Sequence, residues 1–144
     1  MSKMIFVNLP VKDLPTATRF YQAIGCQKNE QFSSDQAACM VWSENITFML
    51  LTHQYFKTFT SKPISDARKT VGALIALSRD SRPEVDSITE AAASAGGKAD
   101  IRERQDMGFM YLRTFEDPDG HAFEPMWMDL AAATGGTGDQ ATSA

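Results

Sequence analysis

In the run FEDPDGHAFEPMWMD, Phe115 to Asp129, a single carboxylate, Glu124, stands among bulky apolar neighbours. Apolar surroundings raise a carboxyl pKa by removing hydration, which suits the group to give or take a proton near neutrality. The same oxygen pair can also accept a hydrogen bond from a bound molecule or donate to a metal ion. It can equally be held ionised by a basic residue such as Arg113 on the neighbouring predicted strand. The other candidates for chemistry are few. His53 and His121 are the chain's two histidines. His121 follows the DPDG turn and reads as a structural histidine packed at a strand end or toward a helix. Cys26 and Cys39 are too few for a disulfide scaffold and lack the signature of a catalytic thiol, so both are expected as free, largely buried thiols.

The elements that must position these groups follow from periodicity. Met4 to Val11 alternates as a strand, with Ile5, Val7 and Leu9 on one side and Phe6 and Asn8 on the other. Asp13 and Pro15 open a helix whose stripe is Leu14, Ala17, Tyr21 and Ile24 before Gly25. CQKNEQF, QAACMVWS and NITFMLLT then read as three strands. Residues 53–70 lose the pattern and read as a linker, with Tyr55, Phe56, Lys57 and Phe59 forming either a lid or a short amphipathic surface helix. The order restarts at 71–79 with a strand. A helix follows, opened by the capping box at Ser81 to Glu84 and striped by Val85, Ile88, Ala92 and Ala95. KADIRERQ, FMYLRTF and HAFEPMWM supply three more strands, the last two joined through DPDG.

Leu14, Ala17, Tyr21, Ile24 and Gly25 map onto Val85, Ile88, Ala92, Ala95 and Gly96 with a constant offset of 71. Two strand–helix–three-strand modules, about 4–52 and 71–129, are therefore expected within one domain of residues 1–130, the fold being α+β with paired βαβββ units. The small, polar segment 131–144 has little to bury and is expected to be disordered. With one helix on the back of each sheet, the other faces should look into a cleft. Alternation places Phe6, Asn8, Leu74 and Ala76 toward it, with Ala122, Glu124, Met126 and Met128 from the last strand. His121, Phe123 and Trp127 take the opposite, helix-facing parity. The many Met and aromatic residues along the strands, among them Met40, Trp42, Phe48, Met49, Met110 and Tyr111, read mainly as core. Those that face the cleft would suit a flat or greasy ligand.

The formal charge of −4 with scattered Lys and Arg argues against a nucleic-acid partner. Apolar runs such as FMLL and ALIAL fall far short of the roughly 20 residues that span a bilayer. With no signal-peptide core at the N-terminus, the chain reads as cytosolic.

The duplicated module, LPVKDLPTATRFYQAIG in the first half, ALIALSRD opening the second and DPDGHAFE near the end together resemble the vicinal oxygen chelate superfamily, from Met4 to Asp129. That superfamily includes glyoxalase I, extradiol dioxygenases and the bleomycin and fosfomycin resistance proteins. The resemblance implies four metal ligands, one from the first and one from the last strand of each module, and a homodimer. Here Glu124 occupies the last ligand position, whereas the other three fall at Phe6, Met49 and Leu74. A lone carboxylate does not hold Zn²⁺, Ni²⁺ or Fe²⁺, which take three or four protein donors. No metal cofactor is therefore expected; a divalent ion would need an irregular set such as Asn8, His53 and Glu124. The expected function is binding of a small, partly apolar molecule, with Glu124 as polar anchor or acid–base group and Phe6, Asn8, Met49, Leu74, Arg113 and Met126 as lining. A metal-dependent lyase or extradiol dioxygenase, and an antibiotic-sequestering protein, are the alternatives.

Overall fold

The computed structural model describes residues 2–135. The first module comprises β1 (Ile5–Val11), α1 (Leu14–Ala23), β2 (Gln27–Lys28), β3 (Ala37–Ser43) and β4 (Ile46–Thr52). Its sheet has the order β1-β4-β3-β2, with β1 and β4 parallel and the other pairs antiparallel. A helical turn, α2 (His53–Phe56), starts the connection to the second module. That module comprises β5 (Leu74–Ser78), α3 (Arg82–Ser94), β6 (Lys98–Ala99), β7 (Gln105–Asp106), β8 (Met110–Leu112), β9 (Phe115–Glu116) and β10 (Ala122–Met128). A short helix, α4 (Leu130–Gly135), follows.

The second sheet repeats the first once its interruptions are joined. β5 runs parallel to β10, which pairs on its other side with β8 and β9, and these pair in turn with β7 and β6. The break between β8 and β9 has a cause in the sequence. The register that sets Met126 opposite Leu112 and Phe123 opposite Phe115 brings Arg113 opposite Pro125. Arg113 N–H donates to the Pro125 carbonyl at 3.2 Å, but Pro125 has no N–H to return. The ladder therefore parts at that point.

Both helices are capped as their sequences dictate. Asp13 accepts from Thr16 N–H at 3.1 Å, and Ser81 accepts from Glu84 N–H at 3.3 Å. Leu14, Ala17, Tyr21, Val85, Ile88 and Ala92 are buried, as their stripes require. Three strand expectations need correction. CQKNEQF pairs only over Gln27–Lys28, because the Asn29 side chain accepts from Gln31 N–H and turns Glu30–Phe32 into a 3₁₀ turn. KADIRERQ splits into β6 and β7 at Asp100, whose φ of 54° lies in the left-handed region that Asp tolerates. The second module's first strand begins at Leu74 rather than at 71. The connection carries α2 and a 3₁₀ turn over Lys57–Phe59, with Tyr55 and Phe59 in edge contact at 5.0 Å. Of the expected disordered tail, residues up to 135 belong to α4; the rest lies outside the described residues.

The helix-facing sides of the two sheets meet in one core. Tyr21 of α1 packs on both Phe48 of β4 and Phe123 of β10, and those two rings touch at 5.7 Å. Phe20 reaches Phe115, which stacks on Phe123 at 5.2 Å. A Cβ at Gly97 would fall 2.3 Å from the Glu116 carbonyl and 2.6 Å from Phe20, so only glycine permits this approach of loop and core. Among the described residues no helix is long and apolar enough to cross a membrane.

Candidate functional site

The opposite faces of the sheets remain open. In the first, Asn8 lies in register with Met49, and Phe6 two residues earlier is 53% exposed. In the second, Glu124 lies in register with Ala76, Leu74 is 60% exposed, and Met126 pairs with Leu112. Each sheet thus gathers its own predicted residues: Phe6, Asn8 and Met49 on one, Leu74, Glu124 and Met126 on the other. The two groups belong to separate sheets whose backs, rather than fronts, share the core. Within one copy of the chain the expected lining therefore falls into two groups, one on each sheet.

Glu124 is half-buried, and among the described residues its carboxylate has no hydrogen-bond or ion-pair partner. Arg113 is not that partner. It stands opposite Pro125, hence on the helix side, where its guanidinium meets Asp86 at 3.0 Å, Glu90 at 2.9 Å and Asp100 at 2.8 Å. Its place in the predicted lining is corrected accordingly: strand parity excludes it from the face of Glu124. Asp100's carboxyl is held below its usual range, chiefly by the Arg113 hydrogen bond. For Asp86, burial pushes upward, but hydrogen bonds from Tyr111 and Arg113 and the nearby cations outweigh it, and the pKa falls. The same register sets Thr114 opposite Glu124, and Thr114 is buried with its Oγ1 accepting from Arg102 N–H at 3.1 Å. Sequence reading missed Thr114; extending the alternation of β10 across to its neighbour would have found it.

The family's metal positions do not make a donor set. Phe6, Met49 and Leu74 offer two hydrocarbon side chains and one thioether, and Glu124 is the single carboxylate. Among the described residues no group of three or more His, Cys, Asp or Glu is placed to hold a metal ion. Nor are Asn8, His53 and Glu124 brought together: His53 lines a groove at the junction of the modules with Pro10 and Lys57, away from Glu124. The residues present do not fit the metal that the resemblance implies.

Asp117, Tyr21 and His121 tie the frame together, and the two cysteines are packed within it. Asp117 is buried and fully bonded: Oδ1 accepts from the N–H groups of Asp119 and His121 at 2.9 Å, and Oδ2 accepts from Tyr21 Oη at 2.8 Å. Burial pushes its pKa up, and burial together with Asp117 pushes Tyr21 up as well. His121 Nε2 lies 2.8 Å from the Pro10 carbonyl, which ties the DPDG turn to the end of β1. Both cysteines are buried and unpaired, as expected; burial raises the Cys26 thiol to about 12 and also raises Cys39, so neither is a ready thiolate.

Residues 3–124 match the family model of the Glyoxalase/Bleomycin resistance protein/Dioxygenase superfamily. The chain belongs to that superfamily. Its fold is similar to that of the hypothetical protein SA1046 from S. aureus, at 24% identity over 88% of this chain and 94% of that one, with a TM-score of 0.74. It is similar too to a glyoxalase/bleomycin resistance protein/dioxygenase family enzyme from Burkholderia phytofirmans PsJN, at 18% identity over 88% and 99%, TM-score 0.74. The fosfomycin resistance protein FosX from Listeria monocytogenes is 22% identical over 88% and 91%, with a TM-score of 0.63. Comparison with curated proteins finds no significant match.

Proposed function

We propose that this chain binds a small, partly apolar molecule on its open sheet faces, with Glu124 as the polar anchor beside Leu74 and Met126 on one face and with Phe6, Asn8 and Met49 lining the other. Binding needs no metal ion, and a second copy of the chain covers the faces that one copy leaves open. The observation that carries this reading is the state of Glu124: a half-buried carboxylate, without a partner among the described residues, beside aliphatic and thioether side chains. A group in that position gains most from a ligand that supplies a hydroxyl or amine hydrogen, because it has already lost part of its hydration. The carboxylate can also take a proton from such a ligand. Exposed Phe6 and Leu74, on edge strands that pair on one side only, support the homodimer.

The metal-dependent lyase and dioxygenase readings would need donors where Phe6, Met49 and Leu74 stand. Sequestration of an antibiotic shares the binding step and differs only in that the ligand is released unchanged. Elemental analysis of protein purified without chelator, paired with light scattering on a sizing column, tests the proposal. Dimers carrying only trace transition metal are expected. Near-stoichiometric metal that is lost in Glu124→Gln would overturn the metal-free reading, and a monomer at micromolar concentration would overturn the shared site.

A further inference from the structure

We propose a second ligand site, distinct from the open faces: a groove at the module junction that takes a small monocarboxylate with an apolar body, such as a medium-chain fatty acid or an arylalkanoic acid. The groove has two compartments that share Pro10, Pro63, Ile64, Ser65 and His121. One, of about 370 Å³, is lined largely by apolar residues, among them Leu9, Phe56, Ile64 and Ile75. The other, of about 630 Å³, is lined by His53, Lys12, Lys57 and Arg68 among others. Such volumes are those of small-molecule pockets, and an apolar interior with a few charges at one end is what orients an amphipathic ligand.

The charge along the groove has a definite sign. Lys12, Lys57, Lys62 and Arg68 line the two compartments against only Asp66 and Asp119, in a chain whose formal net charge is −4. Neither carboxylate neutralises these cations. Asp66 Oδ1 accepts from Arg68 N–H and Asp119 Oδ1 accepts from Lys12 N–H, both through the backbone. Among the described residues no carboxylate forms a salt bridge with Lys12, Lys57, Lys62 or Arg68. A local excess of cations beside an apolar compartment attracts an anion that carries hydrocarbon, and it repels the corresponding amine.

The walls are built rather than draped. The Arg68 guanidinium donates to the Pro118 carbonyl, and Asp66 closes a turn by accepting Lys69 and Thr70 N–H at 3.0 Å. Gly120, at φ +94°, lies so close to this segment that a Cβ would come within 2.8 Å of Arg68 N and 2.9 Å of the Ala67 carbonyl. The connecting segment is therefore docked on the DPDG turn, and a ligand meets a groove already formed, which lowers the ordering cost of binding.

Titration of the ¹⁵N-labelled full chain with octanoate, 4-phenylbutanoate and 1-octanol, followed by amide chemical shifts, tests the site. Saturable shifts at Ile64, Gly72, Ile75 and Ala122 are expected with both acids. Lys57→Glu, at an exposed position, should raise the Kd of the acids by roughly tenfold and leave that of the uncharged alcohol unchanged. Glu124→Gln should alter neither, which separates this site from the open face. No saturable shifts, shifts centred on Asn8 and Glu124, or an octanoate Kd indifferent to Lys57→Glu would each overturn the proposal.

Discussion

The two faces of β10 treat polar groups in opposite ways. On the closed side the two most buried charged groups are well bonded: Arg113 meets three carboxylates, and Asp117 at the head of the strand takes three hydrogen bonds, one of them from buried Tyr21. On the open side Glu124 has none among the described residues. Matched buried charges hold elements in register, and their removal leaves partners stranded; an unmatched, half-buried charge contributes little to folding and is available to a ligand. The difference sets a bonded side against a side with a spare carboxylate, across one seven-residue strand.

Substitutions ranked by expected effect test that division. Phe123→Ala empties the point where Phe48, Tyr21 and Phe115 converge, and should destabilise the fold by about 4 kcal/mol in urea unfolding. A loss under about 1 kcal/mol would mean that the modules do not share this core. Asp117→Ala strands Tyr21 Oη and two turn N–H groups, and loosens the tie between the DPDG turn and the first module. Its cost should be about 3 kcal/mol at neutral pH, partly offset because burial disfavours the ionised carboxylate.

Arg113→Met keeps the apolar bulk and removes the charge, with an expected loss of about 2 kcal/mol at pH 7, since the three carboxylates it leaves are partly exposed. The pH dependence carries the sharper signature. Asp86 and Asp100 have pKa values lowered by folding, so the unfolded chain binds protons first; their stabilisation is complete above the unfolded value of about 3.9 and is lost as pH falls through that range. Asp117, raised by burial, works in the opposite sense: its contribution is complete below that range and declines as pH rises through its folded pKa. Removing Arg113 should therefore flatten the acid limb of a stability–pH curve. A variant that loses as much stability as the parent between pH 6 and pH 3 would show that the guanidinium does not set those two carboxylates.

Much of the frame was legible because local signals and tertiary need agreed. The 71-residue offset, both helix caps and the alternation of β1 and β10 carried through to the fold. The failures arose where a side chain competed with the backbone. Asn29 capped its own turn, Asp100 left the ladder with its carboxylate on Arg113, and Pro125 interrupted a neighbour rather than itself. Arg113 was misplaced because a single strand read alone says which residues alternate, not which parity the partner strand takes. The junction groove was invisible in principle: His53, Lys57 and Arg68 become neighbours of Lys12 only once the connection docks on Gly120.

Glu124→Gln should have the smallest effect on folding, within about 0.5 kcal/mol of the parent, because no partner among the described residues is lost and the amide keeps the volume. The same change should abolish the rise in melting temperature produced by any small molecule that saturates the open face, since a ligand binding only the native state stabilises by mass action. That pairing, a silent substitution in the free protein and a decisive one in the complex, is what an anchor predicts and a structural carboxylate does not. Destabilisation by more than about 1.5 kcal/mol in the unliganded protein would place Glu124 with Asp117 and Arg113 on the structural side, and the contrast between the two faces of β10 would fail at the residue on which it turns.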